Sequence, residues 1–323
     1  MFTNKDIEHR TVFVINCIKE RNLRVSNGEL LLEDTEEKKT LTKLPFQKIL
    51  AIFVVGHISI TTPLIDKCKM HNVALVVVKP SLRPIFYWSN LAEANYLLRK
   101  KQFYFPADDI SIAKWLVYNK VHNQETLLHR TRKSDDVTDE AIAICKKALS
   151  EWLPRVVDYN KLMGLEGYVS KAFFSAYFQN LDWESRRPRA KCDVLNTTLD
   201  IGYTVLFNFI ECFVRMFGFD LYVGVYHRLW FKRKSLVCDL IEPFRCIIDS
   251  TVRTAFNRKQ FSKKDFVLQK GEYKLKHEMN GVYYKVFFDA LIKYKKEIFL
   301  FVRDYYRSFM QSKNIEQFPN FQI

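Results

Sequence analysis

Glycine and proline are scarce, nine of each in 323 residues, while apolar residues make up 48% of the chain. That balance excludes a disordered, collagen-like or linker-dominated protein. The few glycines form neither G-x-G-x-x-G nor G-x-x-x-x-G-K-[ST], so the usual phosphate-cradling loops of nucleotide enzymes are missing. H-E-x-x-H and G-x-S-x-G are absent too, which removes zincin proteolysis and the common hydrolase elbow. The seven cysteines (Cys17, Cys68, Cys145, Cys192, Cys212, Cys238, Cys246) are odd in number and contain no C-x-x-C pair. They suit reduced thiols rather than a disulfide framework or a zinc ribbon. Long hydrophobic runs are lacking: the longest uncharged stretch, 49–65, carries Gly56, His57 and Pro63 and reads as strand, turn, strand rather than a membrane span. Asp6 and Glu8 precede any apolar run, which does not fit a secretory leader, so a cytoplasmic protein with no membrane role is expected.

What is present is positive charge. Lys plus Arg number 51 against 36 Asp plus Glu, a net +15, so a polyanion is the expected partner, with nucleic acid ahead of an acidic membrane. The length favours two domains. Alternating apolar runs at 11–15, 23–32, 49–55, 73–78 and 85–88 predict strands, with Asn27-Gly28 as a tight hairpin turn. A short helix at 62–70 is predicted between them, with Thr62 as its cap and Pro63 at its first position. Beyond Asn90 the period becomes helical: 91–103, 109–129 capped by Asp108 or Asp109, 136–152, 165–178, 196–217 and 242–256. A hairpin about Gly271 and a final aromatic helix at 284–309 complete the chain. On this helix Phe287, Leu291, Tyr294, Ile298, Val302 and Tyr305 read as a buried face rather than a base-stacking ladder. The class is therefore α+β, a β-rich domain over 1–93 followed by a larger, mainly α-helical domain over 94–323. Two charged stretches, 132–138 and 181–193, read as flexible loops.

Three segments combine metal-type ligands with an unusual setting. Glu166 lies between Gly164 and Gly167 at an expected helix start, where a carboxylate also has a plain role beside the helix dipole. His227 follows Gly224-Val-Tyr, and a lone histidine is commonly structural. Asp239 and Glu242 are three apart, a spacing that suits holding one cation, a capping box, or Glu242 as cap of a helix starting at Pro243.

Taken in order, Lys120-Val-His-Asn-Gln-Glu-Thr-Leu-Leu, Gly164-Leu-Glu-Gly, the run from Asp193 to Tyr203, Gly224-Val-Tyr-His and Ser235-Leu-Val-Cys-Asp-Leu-Ile-Glu-Pro-Phe-Arg resemble the CRISPR-associated integrase, also called an endonuclease. The likeness covers nearly the whole chain, including the β-rich first and helical second domain. It implies Glu166, His227 and Glu242 as metal ligands for Mg2+ or Mn2+, with Asp239 as a companion acid that supports activity. It also implies insertion of captured DNA fragments into a CRISPR array by 3′-hydroxyl attack on a repeat phosphodiester, with hydrolysis as a side activity. The partners implied are double-stranded and branched DNA, a second copy of the chain joined through the first domain, and a small ferredoxin-like adaptation protein. Cys246 replaces a common proline and Cys238 a larger apolar residue, and the role of Asp200 is open.

The basic residues expected to face DNA are Arg186, Arg187, Arg189 and Lys191 in one loop, then Lys232, Arg233 and Lys234 beside His227. Each could equally be an ordinary solvated charge. The competing readings are a non-catalytic, basic DNA-binding or architectural subunit, and a metal-dependent phosphodiesterase acting on a small substrate. Metal dependence separates the first from an integrase; a screen of short nucleotides against branched DNA separates the second.

Overall fold

The computed structural model describes residues 4–17, 21–37, 39–89, 94–131, 135–228 and 230–323. A short helix α1 (Asn4–His9) leads into β1 (Thr11–Cys17), followed by β2 (Arg21–Ser26), β3 (Glu29–Asp34), β4 (Lys39–Pro45), β5 (Ile49–Gly56), α2 (Thr62–His71), β6 (Ala74–Val78) and β7 (Pro84–Trp88). Two sheets result. One is four-stranded in the order β1-β5-β6-β7, parallel at β1/β5 and β5/β6 and antiparallel at β6/β7; the other is the antiparallel β2-β3-β4.

The continuous apolar runs of β5 and β6 are explained by burial on both faces. Leu50, Phe53, Val55, Ala74, Val76 and Val78 face the helical domain, while Ile49, Ile52, Val54, Val73, Leu75 and Val77 pack with Leu23, Leu30, Leu32 and α2. The hairpin is as expected, with Asn27 and Gly28 both at positive φ (49° and 77°). β4 was not legible: it is a charged, largely exposed strand, K-T-L-T-K-L-P, at the margin of its sheet. The stretch 49–65 holds one strand rather than two, since 57–61 is loop before α2. Thr61, not Thr62, is the cap residue of α2, and its side chain makes no cap bond.

The helical part comprises α3 (Tyr96–Phe103), α4 (Ser111–His129), α5 (Asp136–Lys147), a π turn (Ala148–Trp152), α6 (Leu153–Arg155), α7 (Tyr159–Phe178), α8 (Val194–Met216), α9 (Ser235–Leu240), a 3-10 turn (Glu242–Phe244), α10 (Arg245–Asn257), α11 (Asn280–Lys293) and α12 (Lys295–Met310). The expected boundary at 93/94, the expected helix start at 91 and part of the 132–138 loop lie outside the described residues. The fold class is α+β, strands first and helices after, as the sequence implied. Asp135, Asp158 and Asp193 cap α5, α7 and α8 by accepting from backbone N–H groups inside the first turn. Neither Asp108 nor Asp109 caps α4: Ile110 occupies that place, although Asp109 accepts from the Ser111 N–H at 2.8 Å. The last helix is two helices, broken at Tyr294 (φ −102°, ψ 14°); of its expected apolar face Phe287, Leu291, Ile298, Val302 and Tyr305 are buried and Tyr294 is half-buried.

α8 is long and apolar enough to cross a membrane, yet 78% of its apolar window is inside the fold. It is the central core helix, with Phe209 and Phe213 fully buried, each contributing about 1.5–3 kcal/mol by leaving water. The two parts are joined by polar bonds as well. Tyr87 donates to Asn208 Oδ1 at 2.8 Å, and Asn208 donates to the Leu82 carbonyl at 3.0 Å. Glu211, fully buried on α8, receives Arg215 (2.8 Å) and Lys234 (2.6 Å), and both cations lie over the Tyr87 ring. α8 therefore holds the first domain on one side and the loop before α9 on the other.

Candidate active site

Glu166 is not at a helix start. α7 begins at Tyr159 and runs through both neighbouring glycines, so Glu166 sits in mid-helix, half-buried, and dipole placement does not account for it. Ser170, one turn on, donates to Glu166 Oε1 at 3.0 Å. From α4, the Lys120 ammonium bonds the same oxygen.

Glu242 is placed by a chain break. After α9, Pro243 removes a donor and the backbone tightens to a 3-10 turn before α10 starts at Arg245. Asn123 Nδ2 donates to the Pro243 carbonyl at 3.3 Å and steadies that turn. Glu242 caps nothing, and neither does Asp239. The Glu242 carboxylate is 4% exposed, with Lys120 Nζ and Arg245 Nε each 2.8 Å from Oε2. Oε2 is thus a buried oxygen held between two cations. Burial alone would raise this carboxyl; Arg245, Lys120 and His227 override it and hold it at about 2.

His227 is fixed by Asp239, a fully buried residue of α9. One oxygen of Asp239 accepts the His227 backbone N–H (2.7 Å) and lies 2.7 Å from its Nδ1; the other accepts from Val225 (2.6 Å) and Tyr226 (3.0 Å). With a carboxylate as partner, Nδ1 carries the ring proton and Nε2 is left as an acceptor nitrogen. Gly224 makes this cradle possible: a Cβ there would meet Asp239 Oδ2 at 2.6 Å and the His227 carbonyl at 2.9 Å.

Glu166, His227, Glu242, Lys120 and Arg245 line one pocket of about 480 Å³, with Arg186, Arg189 and Arg233 also on its wall. Beneath them Arg245 lies 4.6 Å over the Tyr203 ring, and Tyr203 donates to the buried Asp249. Burial pushes the Asp249 carboxyl up to about 7 although Tyr203 and Arg245 pull it down. Tyr226, buried beside His227, is raised by burial and by the neighbouring Glu166 and Glu242 charges, so it keeps its proton. Lys120, Arg245, Tyr203 and Asp249 were not singled out in the sequence. The signal for Lys120 was a lysine on the core-facing stripe of α4, four residues from Leu116 and from Gln124, both buried.

The basic loop is not a loose tether. Asn196 accepts from Arg186 (2.7 Å) and from the Arg187 N–H (2.9 Å), and Asp200 accepts from Arg186 (2.5 Å) and the Arg189 N–H (2.7 Å). Asp200, open on sequence grounds, anchors this strap to α8. Arg187 pairs with Glu184 (3.1 Å), and Lys191 with Glu272 (3.6 Å). Arg189 and Lys232 are exposed, Arg233 is half-buried, and Lys234 is committed to Glu211.

Among the described residues no three His, Cys, Asp or Glu side chains already stand close enough to cage an ion. The donor set nonetheless fits a hard divalent cation: two carboxylates and an imidazole whose Nδ1 is engaged by Asp239 share one pocket. Lys120 stands between the two acids.

Fold and pocket together define an α+β protein, a strand-rich region followed by a mainly helical one, with an acid-and-imidazole pocket under a cationic wall. Residues 17–288 match the family described as CRISPR associated protein Cas1. The CRISPR-associated endonuclease Cas1 1 of Thermodesulfovibrio yellowstonii is 29% identical over 252 residues, 75% of this chain and 77% of the relative. The CRISPR-associated endonuclease Cas1 3 of Thermus thermophilus is 28% identical over 269 residues, 80% of this chain and 78% of the relative. Among solved structures, a casposase bound to integration product superposes with a TM-score of 0.73 at 20% identity, covering 94% of this chain and 92% of the other. A partial Cas6-RT-Cas1–Cas2 complex gives 0.75 at 18% identity, covering 97% and 99%. At those identities the structural likeness is one of fold. The chain belongs to the Cas1 family of CRISPR-associated endonucleases and integrases.

Proposed function

We propose that this protein is a divalent-metal-dependent DNA integrase that inserts captured fragments into a CRISPR array, with hydrolytic nicking as a side activity. The observation that carries the reading is the convergence of Glu166, His227 and Glu242, from α7, a loop and a 3-10 turn, on one pocket walled by arginines. Glu166, His227 Nε2 and Glu242 would hold Mg2+ or Mn2+. The ion, when bound, supplies a lowered hydroxyl pKa and neutralises charge on the phosphodiester under attack.

The chain's own residues do the rest. Asp239 keeps the imidazole in one tautomer and one orientation. Arg245, stacked on Tyr203, and the strap arginines give the pocket wall a positive field that draws a phosphate in and favours a more anionic transition state. A free 3′-hydroxyl then displaces the repeat 3′-oxygen, one P–O bond forming as another breaks, with no nucleotide consumed. Water in place of the hydroxyl gives a nick.

The +15 charge supports double-stranded and branched DNA as substrate. The solved neighbours include a Cas1–Cas2 complex and a casposase on its integration product. The further partners are those the family resemblance implies: a second copy of the chain, joined through the first domain, and a small ferredoxin-like adaptation protein. A non-catalytic DNA-gripping subunit, using the basic surface alone, is the second reading. A strand-transfer assay with a 3′-hydroxyl fragment, a repeat-bearing plasmid and Mn2+ decides. Joints that need both the free 3′ end and the metal support integration; equal product from a 3′-blocked fragment rejects it.

A further inference from the structure

We propose that Lys120 is a displaceable counter-ion: its ammonium holds Glu166 and Glu242 together until a divalent cation enters, and then turns to the phosphate of bound DNA. This rests on the reading of the two acids as ligands of that cation.

The geometry places Lys120 where an ion would bridge the carboxylates. Its side chain is 10% exposed, and its polar contacts are Glu166 Oε1 and Glu242 Oε2. With Arg245 counted, two negative charges face two positive ones. A divalent ion added to that balanced set leaves an excess of two positive charges in a poorly solvated place, so one resident cation must leave or an anion must arrive. Arg245 is fixed by its stack on Tyr203. Lys120 has a flexible four-carbon stem, and among the described residues its ion-pair partners are the two acids that are to be taken from it. The same pocket carries Arg186 and Arg189, beside which a phosphate would sit. Exchange of ammonium for metal would thereby couple ion loading to DNA grip.

A purely structural ion pair and a displaceable one differ in sign. Lys120→Met destabilises the metal-free chain in both cases, because it strands two carboxylates. Displacement predicts in addition that cation binding becomes tighter, since a like charge no longer competes for the two acids.

The test is Mn2+ binding to the full chain, read from the spin-resonance signal of free Mn2+ without DNA, alongside the thermal midpoint with and without Mn2+. The expected result is at least about tenfold tighter Mn2+ binding by Lys120→Met and a larger Mn2+-induced rise in its midpoint. Lys120→Arg, which keeps the charge, should bind no more tightly than wild type. Equal or weaker binding by a folded Lys120→Met overturns the proposal, as does tightening by Lys120→Arg. If Lys120→Met does not fold, Lys120→Gln carries the same expectation. If neither wild type nor variant shows a saturable site that Glu242→Gln removes, the metal reading itself fails and the Lys120 proposal falls with it.

Discussion

Asp239 Oδ1 takes both the backbone N–H and the ring Nδ1 of His227, each at 2.7 Å. Backbone and imidazole are thus fixed by one atom, and the residue's second oxygen closes the loop through Val225 and Tyr226. Asp239→Asn would place an amide donor against donors already there. A loss of about 10–100-fold in Mn2+ affinity or nicking rate is expected, in the range for partners that orient a ligand. Mn2+ titration beside a circular dichroism spectrum checks it; an unchanged affinity would assign Asp239 to the loop's folding alone.

Gly224→Ala attacks the same cradle by volume. The added Cβ meets Asp239 Oδ2 at 2.6 Å and backbone at 2.9 Å, so the loop must shift at a cost of about 1–3 kcal/mol. Urea denaturation should show a lower midpoint, and nicking should fall together with that of Asp239→Asn.

Two buried acids give opposite pH dependences. Glu242 has a folded value of about 2, below its ordinary 4.5. Its contribution is therefore present above pH 4.5 and lost as pH falls toward 2. Asp249 has a folded value of about 7, above its ordinary 3.8. It favours the folded state most below pH 4, and that advantage is lost as pH rises to 7. Asp249→Asn, which keeps an oxygen for Tyr203, should gain on wild type between pH 4 and 7, by an amount on the order of a few kcal/mol. Denaturation midpoints measured across pH 4–8 test this; parallel curves would contradict the raised Asp249.

The basic candidates should divide by where they stand. Arg189→Ala and Lys232→Ala, both exposed, should weaken DNA binding about equally on all sequences and lower the salt slope by about 1 each. Lys234→Met should act through stability, because it removes one of the two cations paired with the fully buried Glu211 and leaves Arg215 alone on it. Binding isotherms at several salt concentrations, set beside melting curves, separate the two groups.

Much of the fold was legible because β5, β6 and α8 are dense apolar runs whose period has one solution. The hairpin was legible because Asn27-Gly28 meets the backbone demand of its turn. β4 was hidden by its exposed, charged composition, and the true start of α7 by two glycines that look like an end and are merely tolerated. In the site, Glu166, His227, Asp239 and Glu242 were each identifiable, but local rules offered capping or dipole roles that long-range packing overrules. For Lys120 the sequence offered only a lysine on a core-facing stripe, because its two acid partners lie 46 and 122 positions away, contacts no local pattern encodes.

Strand transfer by Glu166→Gln, set beside wild type in Mn2+ with a 3′-hydroxyl fragment and a repeat-bearing plasmid, tests the central claim most directly. The expected result is a folded variant with no detectable joints. Full joint formation by that variant would contradict a catalytic role for the pocket.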